Sequence, residues 1–318
     1  MSSEDRDDLL PVRPESPTPH RDKLRELLNN HKLPKGDGES VQRAIECYDR
    51  WIEAMDSISL EGDNKVKTLV DSVNEYKKFV GLEVIWDSEA DFLFRQRGQL
   101  KLDNSIIEEF LPRLVDPAII PALEGKTYVT GPRTTFSAAY FTTVLSAPSK
   151  GTGLQLRQKD QDFTVSRVAH LQASFDERFP PEDTVAHKIH LAFVAVECKT
   201  NLDKTMFQEA IATAHDLKLA VPGSRYYVLC EWLDMTPIST TPTDIDEVII
   251  LRGRRIPANR RSRFAGSESR REQREWYESF LADNPIRSSS VLRFVEHLRI
   301  LFDSTQLGED DVLGRGYF

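Results

Sequence analysis

From residue 21 to about 81, apolar side chains recur every three or four positions: Leu24, Leu27 and Leu28, then Val41, Ile45, Tyr48, Trp51, Ile52 and Met55, then Val66, Leu69, Val70, Val73, Tyr76 and Val80. That period puts one apolar stripe on each of several helices, and glycines at 36, 38, 62 and 81 separate the runs. A helical N-terminal subdomain is therefore expected over 20–95, and a further helix carries Ile106, Ile107, Phe110, Leu111 and Leu114 up to Pro117. The period then changes. Segments 126–145 and 154–175 are rich in Thr, Val, Phe and Tyr, with Gly-Pro and Gly-Thr-Gly read as turns, so strands are predicted. The stretch "KIHLAFVAVEC" at 188–198 is almost wholly apolar, as suits the centre of a sheet covered on both faces. An amphipathic helix follows to Pro222-Gly223, then the strand "SRYYVLCEWL", which is the order of a βαβ crossover. The fold predicted for 96–318 is α/β, a mixed central β-sheet flanked by helices. Residues 1–19, acidic and proline-rich, read as a disordered leader.

Composition narrows the picture. No run of eighteen apolar residues occurs and the N-terminus lacks a basic-then-apolar signal, so a cytoplasmic protein is expected. Cys47, Cys198 and Cys230 show no CxxC spacing, which argues against a disulfide framework or a zinc site. The histidines show neither HxxxH nor HExxH spacing, and no nucleophilic Ser or Cys motif accompanies them. The net charge is −9, yet 252–274 holds nine arginines and two glutamates, so a local charge of +7 stands against −16 elsewhere. Arg252, Arg254, Arg255, Arg260, Arg261, Arg263, Arg270, Arg271 and Arg274 are thus candidates for DNA contacts, because a guanidinium pairs bidentately with phosphate or guanine. The alternative is a solvated segment paired with the acidic remainder.

The apolar strand ends on Glu197 and Lys199. Side chains alternate along a strand, so the two share a face at its C-terminal end, the edge at which open α/β sheets place their ligands. A divalent cation there would compensate Glu197, and magnesium takes one or two carboxylates with water and phosphate completing its shell. The nearest second carboxylate lies in "RQKDQDFTV", where Asp162 directly precedes the apolar part of its strand and Asp160 reads as a solvated turn residue.

Asp162 followed thirty-five positions later by Glu197-x-Lys199 resembles the PD-(D/E)xK nuclease superfamily, although Gln161 stands where the motif has its proline. Within it, "DFLFRQRGQLKLDNSIIEEFLPRLV" (91–115), "KDQDFTV" (159–165) and "AVECKTNLDKTMFQEA" (195–210) resemble the Bpu-type family of type II restriction endonucleases. The resemblance implies a sequence-specific, Mg2+-dependent endonuclease on double-stranded DNA, with Mn2+ able to substitute. Asp162 and Glu197 would hold the metal and Lys199 would serve the attacking water. It also implies a homodimer or a heterodimer with a related subunit, and a cognate methyltransferase. A further metal-binding glutamate from the preceding helix is implied too. Glu109 is the choice, because Glu108 stands three residues after Ser105, the spacing of a capping box. Two other readings stay open: a structure-specific repair or recombination nuclease of the same superfamily, and a non-enzymatic DNA-binding protein on this scaffold.

Overall fold

The computed structural model describes residues 18–303 and Leu313. Most of the leader read over 1–19 lies outside the described residues. Its last residue, Pro19, already opens α1 (Pro19–Leu28), a first-turn position where proline loses no hydrogen bond. The helical part continues as α2 (Lys35–Asp56) and α3 (Gly62–Phe79), which runs into a π-helical turn, Val80–Trp86, and then α4 (Phe92–Gln96) and α5 (Asn104–Phe110). The apolar stripes read from the sequence face inward here: Leu24, Val41, Tyr48, Val66 and Val73 belong to one buried cluster that continues into the sheet through Phe163, Val194 and Tyr227.

The sheet has strands β1 (Val129–Phe141), β2 (Leu154–Ala173), β3 (Val185–Leu202), β4 (Arg225–Leu233) and β5 (Glu247–Arg254), in that spatial order. Pairs β1–β2 and β2–β3 are antiparallel, and β3–β4 and β4–β5 are parallel, so the sheet is mixed as expected. Gly131-Pro132 is not a turn. The register shifts between Gly131 and Arg133 inside β1, where proline's missing N–H is accommodated by a bulge. Helix α6 (Lys204–Ala220) makes the crossover from β3 to β4, and the Asp203 carboxylate accepts the Met206 N–H at 2.9 Å to cap it. Three short helices, α7 (Ala258–Arg261), α8 (Ser267–Glu272) and α9 (Arg274–Asp283), precede α10 (Ser288–Asp303). Val291, Phe294, Val295 and Leu298 of α10 seat it on the main cluster. Strand β3 separates two apolar layers: Val194, Val196 and Cys198 join that cluster, whereas Ala195 packs with Phe207 and Ala210 of α6.

His20 ties α1 to this core. Its Nε2 lies 2.8 Å from the Tyr76 hydroxyl and its Nδ1 3.0 Å from Ser105 Oγ. Burial, with the Lys77 ammonium adding to it, pushes the imidazole pKa down to about 3 from 6.5. The ring is therefore neutral in the fold while the unfolded chain binds a proton below about pH 6.5, so this contribution to stability is lost as pH falls from 6.5 towards 3. The expected slope is at most about 1.4 kcal/mol per pH unit. Urea midpoints at pH 7 and pH 5 should fall more steeply for the wild type than for His20→Gln, which is less stable at pH 7 but has no such proton to gain.

Candidate active site

Glu197 and Lys199 extend the α6-facing row of β3 beyond its buried part. Lys199 Nζ lies 2.6 Å from Glu197 Oε1, and the Tyr226 hydroxyl on β4 donates to Glu197 Oε2 at 2.7 Å. One step past the Phe163–Val196 pair, Asp162 comes alongside on β2, and its Oδ2 accepts the backbone N–H of Cys198 at 2.9 Å. The two carboxylates expected to work together are thus joined through the main chain of β3. They open into a cleft of about 310 Å³ that also takes in Lys101, Asp160 and Tyr226. Asp160 is exposed and accepts from Thr134 Oγ1 at 2.6 Å, a bond to the outer strand rather than to β3.

Partial burial works to lower the Lys199 pKa, but Glu197 beside it and Asp162 nearby raise it above the ordinary lysine value. Lys199 is an ammonium here, suited to holding water and anionic oxygen and not to accepting a proton.

The glutamates of α5 are placed opposite to the expectation. Glu109 is buried against the helical subdomain, where its carboxylate accepts the His20 N–H at 3.0 Å and the Tyr48 hydroxyl. Burial raises its pKa, and these bonds oppose the rise. Glu108 is the buried residue on the side of the site, behind Lys101, whose Nζ lies 4.0 Å from its carboxylate and 3.3 Å from Asp162 Oδ1. The capping box does not form either. Ser105 Oγ donates to the Lys101 carbonyl at 2.8 Å, and Glu108 accepts from Asn104 Nδ2 at 2.9 Å. Helix α5 begins at Asn104, so Ser105 is already inside it and cannot be its cap. Burial, reinforced by the Asp162 charge, pushes the Glu108 pKa up to about 7.

Lys101 and Tyr226 were missed in the sequence. Lys101 reaches the site from a left-handed backbone, φ 51°, which costs a non-glycine residue of order 1 kcal/mol. Its carbonyl is held there by both the N–H and the hydroxyl of Ser105, at 3.0 and 2.8 Å. No motif marks such a residue; only the strained turn before α5 brings it in.

The arginines from 252 to 274 separate into three kinds. Arg252 and Arg270 are interior. Arg252 pairs with Glu231 at 2.8 Å, and Arg270 is fully buried, with Asp91 at 2.7 Å and backbone carbonyls of Trp86 and Ser88 at 2.9 and 2.8 Å. The "RGR" at 252–254 is the end of β5, so alternate residues point into the protein. Arg255 and Arg261 share Asp234, Arg274 holds Asp87 and Glu278, and Arg260 lies over the Trp276 ring at 3.4 Å. Arg254, Arg263 and Arg271 are exposed.

Among the described residues, no three His, Cys, Asp or Glu side chains close around a point to cage a metal. Asp162 and Glu197 instead form a two-carboxylate set of hard oxygens on an open cleft, which fits magnesium, an ion that keeps water and phosphate in its shell. On the mixed sheet, Asp162 from the middle of β2 thus meets Glu197 and Lys199 near the C-terminal end of β3.

The model of the Bpu10I restriction endonuclease family matches residues 99–318, and the chain belongs to that family. It is a type II restriction endonuclease, an enzyme that cuts DNA. Among solved structures it is similar to the native BbvCI A2B2 tetramer determined at low resolution, with a TM-score of 0.56 and 21% identity over 82% of this chain and 96% of that one. At that identity the likeness speaks for the fold. A search of the curated proteins found no match.

Proposed function

We propose that the chain hydrolyses phosphodiester bonds of double-stranded DNA at a specific sequence, using Asp162 and Glu197 as ligands of Mg2+ and Lys199 as the cation beside the attacking water. The observation that carries this reading is the Asp162 to Cys198 hydrogen bond, which sets both carboxylates at one strand end beside the Lys199 ammonium. When bound, magnesium, or manganese in its place, polarises the phosphoryl oxygen and lowers the pKa of water. Lys199 positions the water and offsets negative charge that develops on the phosphoryl oxygens. Tyr226 fixes the Glu197 carboxylate, and Lys101 steadies Asp162. Glu108, rather than Glu109, is the carboxylate of α5 with a part in the site. Glu108→Gln should change cleavage by tenfold or more, whereas Glu109→Gln should act mainly on thermal stability; single-turnover rates and melting curves separate the two.

Arg254, Arg263 and Arg271 are the exposed members of the arginine segment and are proposed to meet the DNA backbone. The solved neighbour is itself an A2B2 assembly, which supports a homodimer or a pairing with a related subunit for a site cut on both strands. A cognate methyltransferase is expected in the same system. No helix among the described residues is long and apolar enough to cross a membrane. Incubation of unmethylated plasmid with magnesium tests the reading. Discrete bands are expected; a smear, or cutting confined to branched DNA, would replace sequence-specific restriction by a structure-specific activity.

A further inference from the structure

Next to the catalytic cleft lies a second cavity of about 480 Å³, and the two share Gly98, Thr200 and Asn201. Asn201 lies two residues beyond Lys199 on β3, roughly 7 Å further along the strand. The far wall is aromatic. Phe94, Trp232, Tyr277 and Phe280 line it and are half-buried, and Trp232 and Phe280 stack with centroids 5.2 Å apart. Its rim is cationic, with Arg95, Arg97, Arg255 and Arg261 against a single lining carboxylate, Asp103. Arg255 and Arg261 share the one carboxylate of Asp234, which leaves positive charge in excess. Arg97 lies over the Phe94 ring at 4.1 Å, and among the described residues no acidic side chain pairs with it.

Ring faces and guanidinium planes recognise the flat face of a base and its phosphate, and base faces are covered while a duplex stays stacked. A cavity of this size has no room for a duplex but takes one nucleotide turned out of it. We propose that this pocket receives a single unpaired nucleotide of the DNA substrate, extruded from the helix beside the scissile phosphate. Its base stacks on the aromatic wall and its phosphate meets Arg97. The Asn201 amide and the Asp103 carboxylate, which makes no capping bond to α5, face the base edge. The inference rests on the catalytic reading above, since it needs DNA held in the adjoining cleft.

Extrusion breaks a base pair, so the pair that opens is the one whose prior disruption helps binding. The experiment uses duplexes carrying the sequence that the wild-type enzyme is found to cut, with a mismatch placed at each position in turn. Binding is followed by fluorescence anisotropy with calcium in place of magnesium. At one position the mismatch should tighten binding by about tenfold or more, since unpairing costs a few kcal/mol and each 1.4 kcal/mol is a factor of ten. Arg97→Ala and Trp232→Leu should bind the paired duplex more weakly and lose that tightening. Arg97 is a surface side chain whose removal leaves the core intact, and circular dichroism checks both variants. If the wild type cuts DNA but no mismatch tightens binding, or the tightening persists in both variants, the pocket assignment is overturned while the nuclease reading stands. If the wild type cuts no DNA, the catalytic reading fails and the pocket assignment falls with it.

Discussion

Glu197→Ala, Asp162→Ala and Lys199→Ala should each lower the single-turnover rate of DNA cleavage by at least about a thousandfold while leaving the protein folded. Removing one pre-organised electrostatic group from a hydrolytic site typically costs a hundredfold to a thousandfold, and groups that act as a unit lose most of the effect together. Here the three are a unit. Lys199 sits 2.6 Å from Glu197, and Asp162 bonds the main chain between them. The fold should survive because their side chains end in an open cleft and none belongs to the apolar clusters. In the wild type, calcium should support DNA binding without cutting. Asp162→Asn should behave like Asp162→Ala, and Asp160→Asn should lose little, since Asp160 is tied to Thr134 on the outer strand. The reverse result for the two aspartates would move the metal ligand two residues along β2.

Arg270→Ala should unfold readily, losing about 3–5 kcal/mol of stability. The guanidinium is fully buried between the helical part and α8, and it donates to carbonyls of Trp86, Ser88 and Phe264 besides pairing with Asp91. Its removal leaves buried carbonyls without their donor and Asp91 with only Arg95 at 3.5 Å, and that desolvation is not recovered. Lysine should not rescue it, because a single ammonium cannot span the four acceptors that a planar fork reaches. Guanidinium chloride denaturation of the wild type and of both variants checks this. A variant as stable as the wild type but weaker on DNA would return Arg270 to the DNA-facing group.

Much of this architecture was legible because its signals are periodic. The helical stripes from Leu24 to Val80, the apolar run into Glu197 and the βαβ order that follows all come from the spacing of buried side chains, which the sheet and its covering helices dictate. What escaped was set by tertiary placement. "EVIILRGR" alternates into the core as β5, yet its arginines masked it as part of a basic surface segment. Glu108 and Glu109 are adjacent, and which one lies beside Lys101 depends on how α5 is rotated by packing Ile107 and Phe110 into the main cluster. A capping pattern in the sequence pointed the wrong way because the helix starts at Asn104, which puts Ser105 inside it. Lys101 enters through a positive-φ turn that no residue type announces.

The most direct measurement is iron-mediated backbone cleavage. Fe2+ bound in the magnesium site, with ascorbate and peroxide, cuts the polypeptide next to the metal, and mass spectrometry locates the breaks. Breaks are predicted in β2 around Asp162 and in β3 around Glu197 to Lys199, and they should disappear in Glu197→Ala and with excess Mg2+. Breaks that fall elsewhere, or that persist unchanged in Asp162→Ala and Glu197→Ala, would contradict the assignment of the catalytic centre to this end of the sheet.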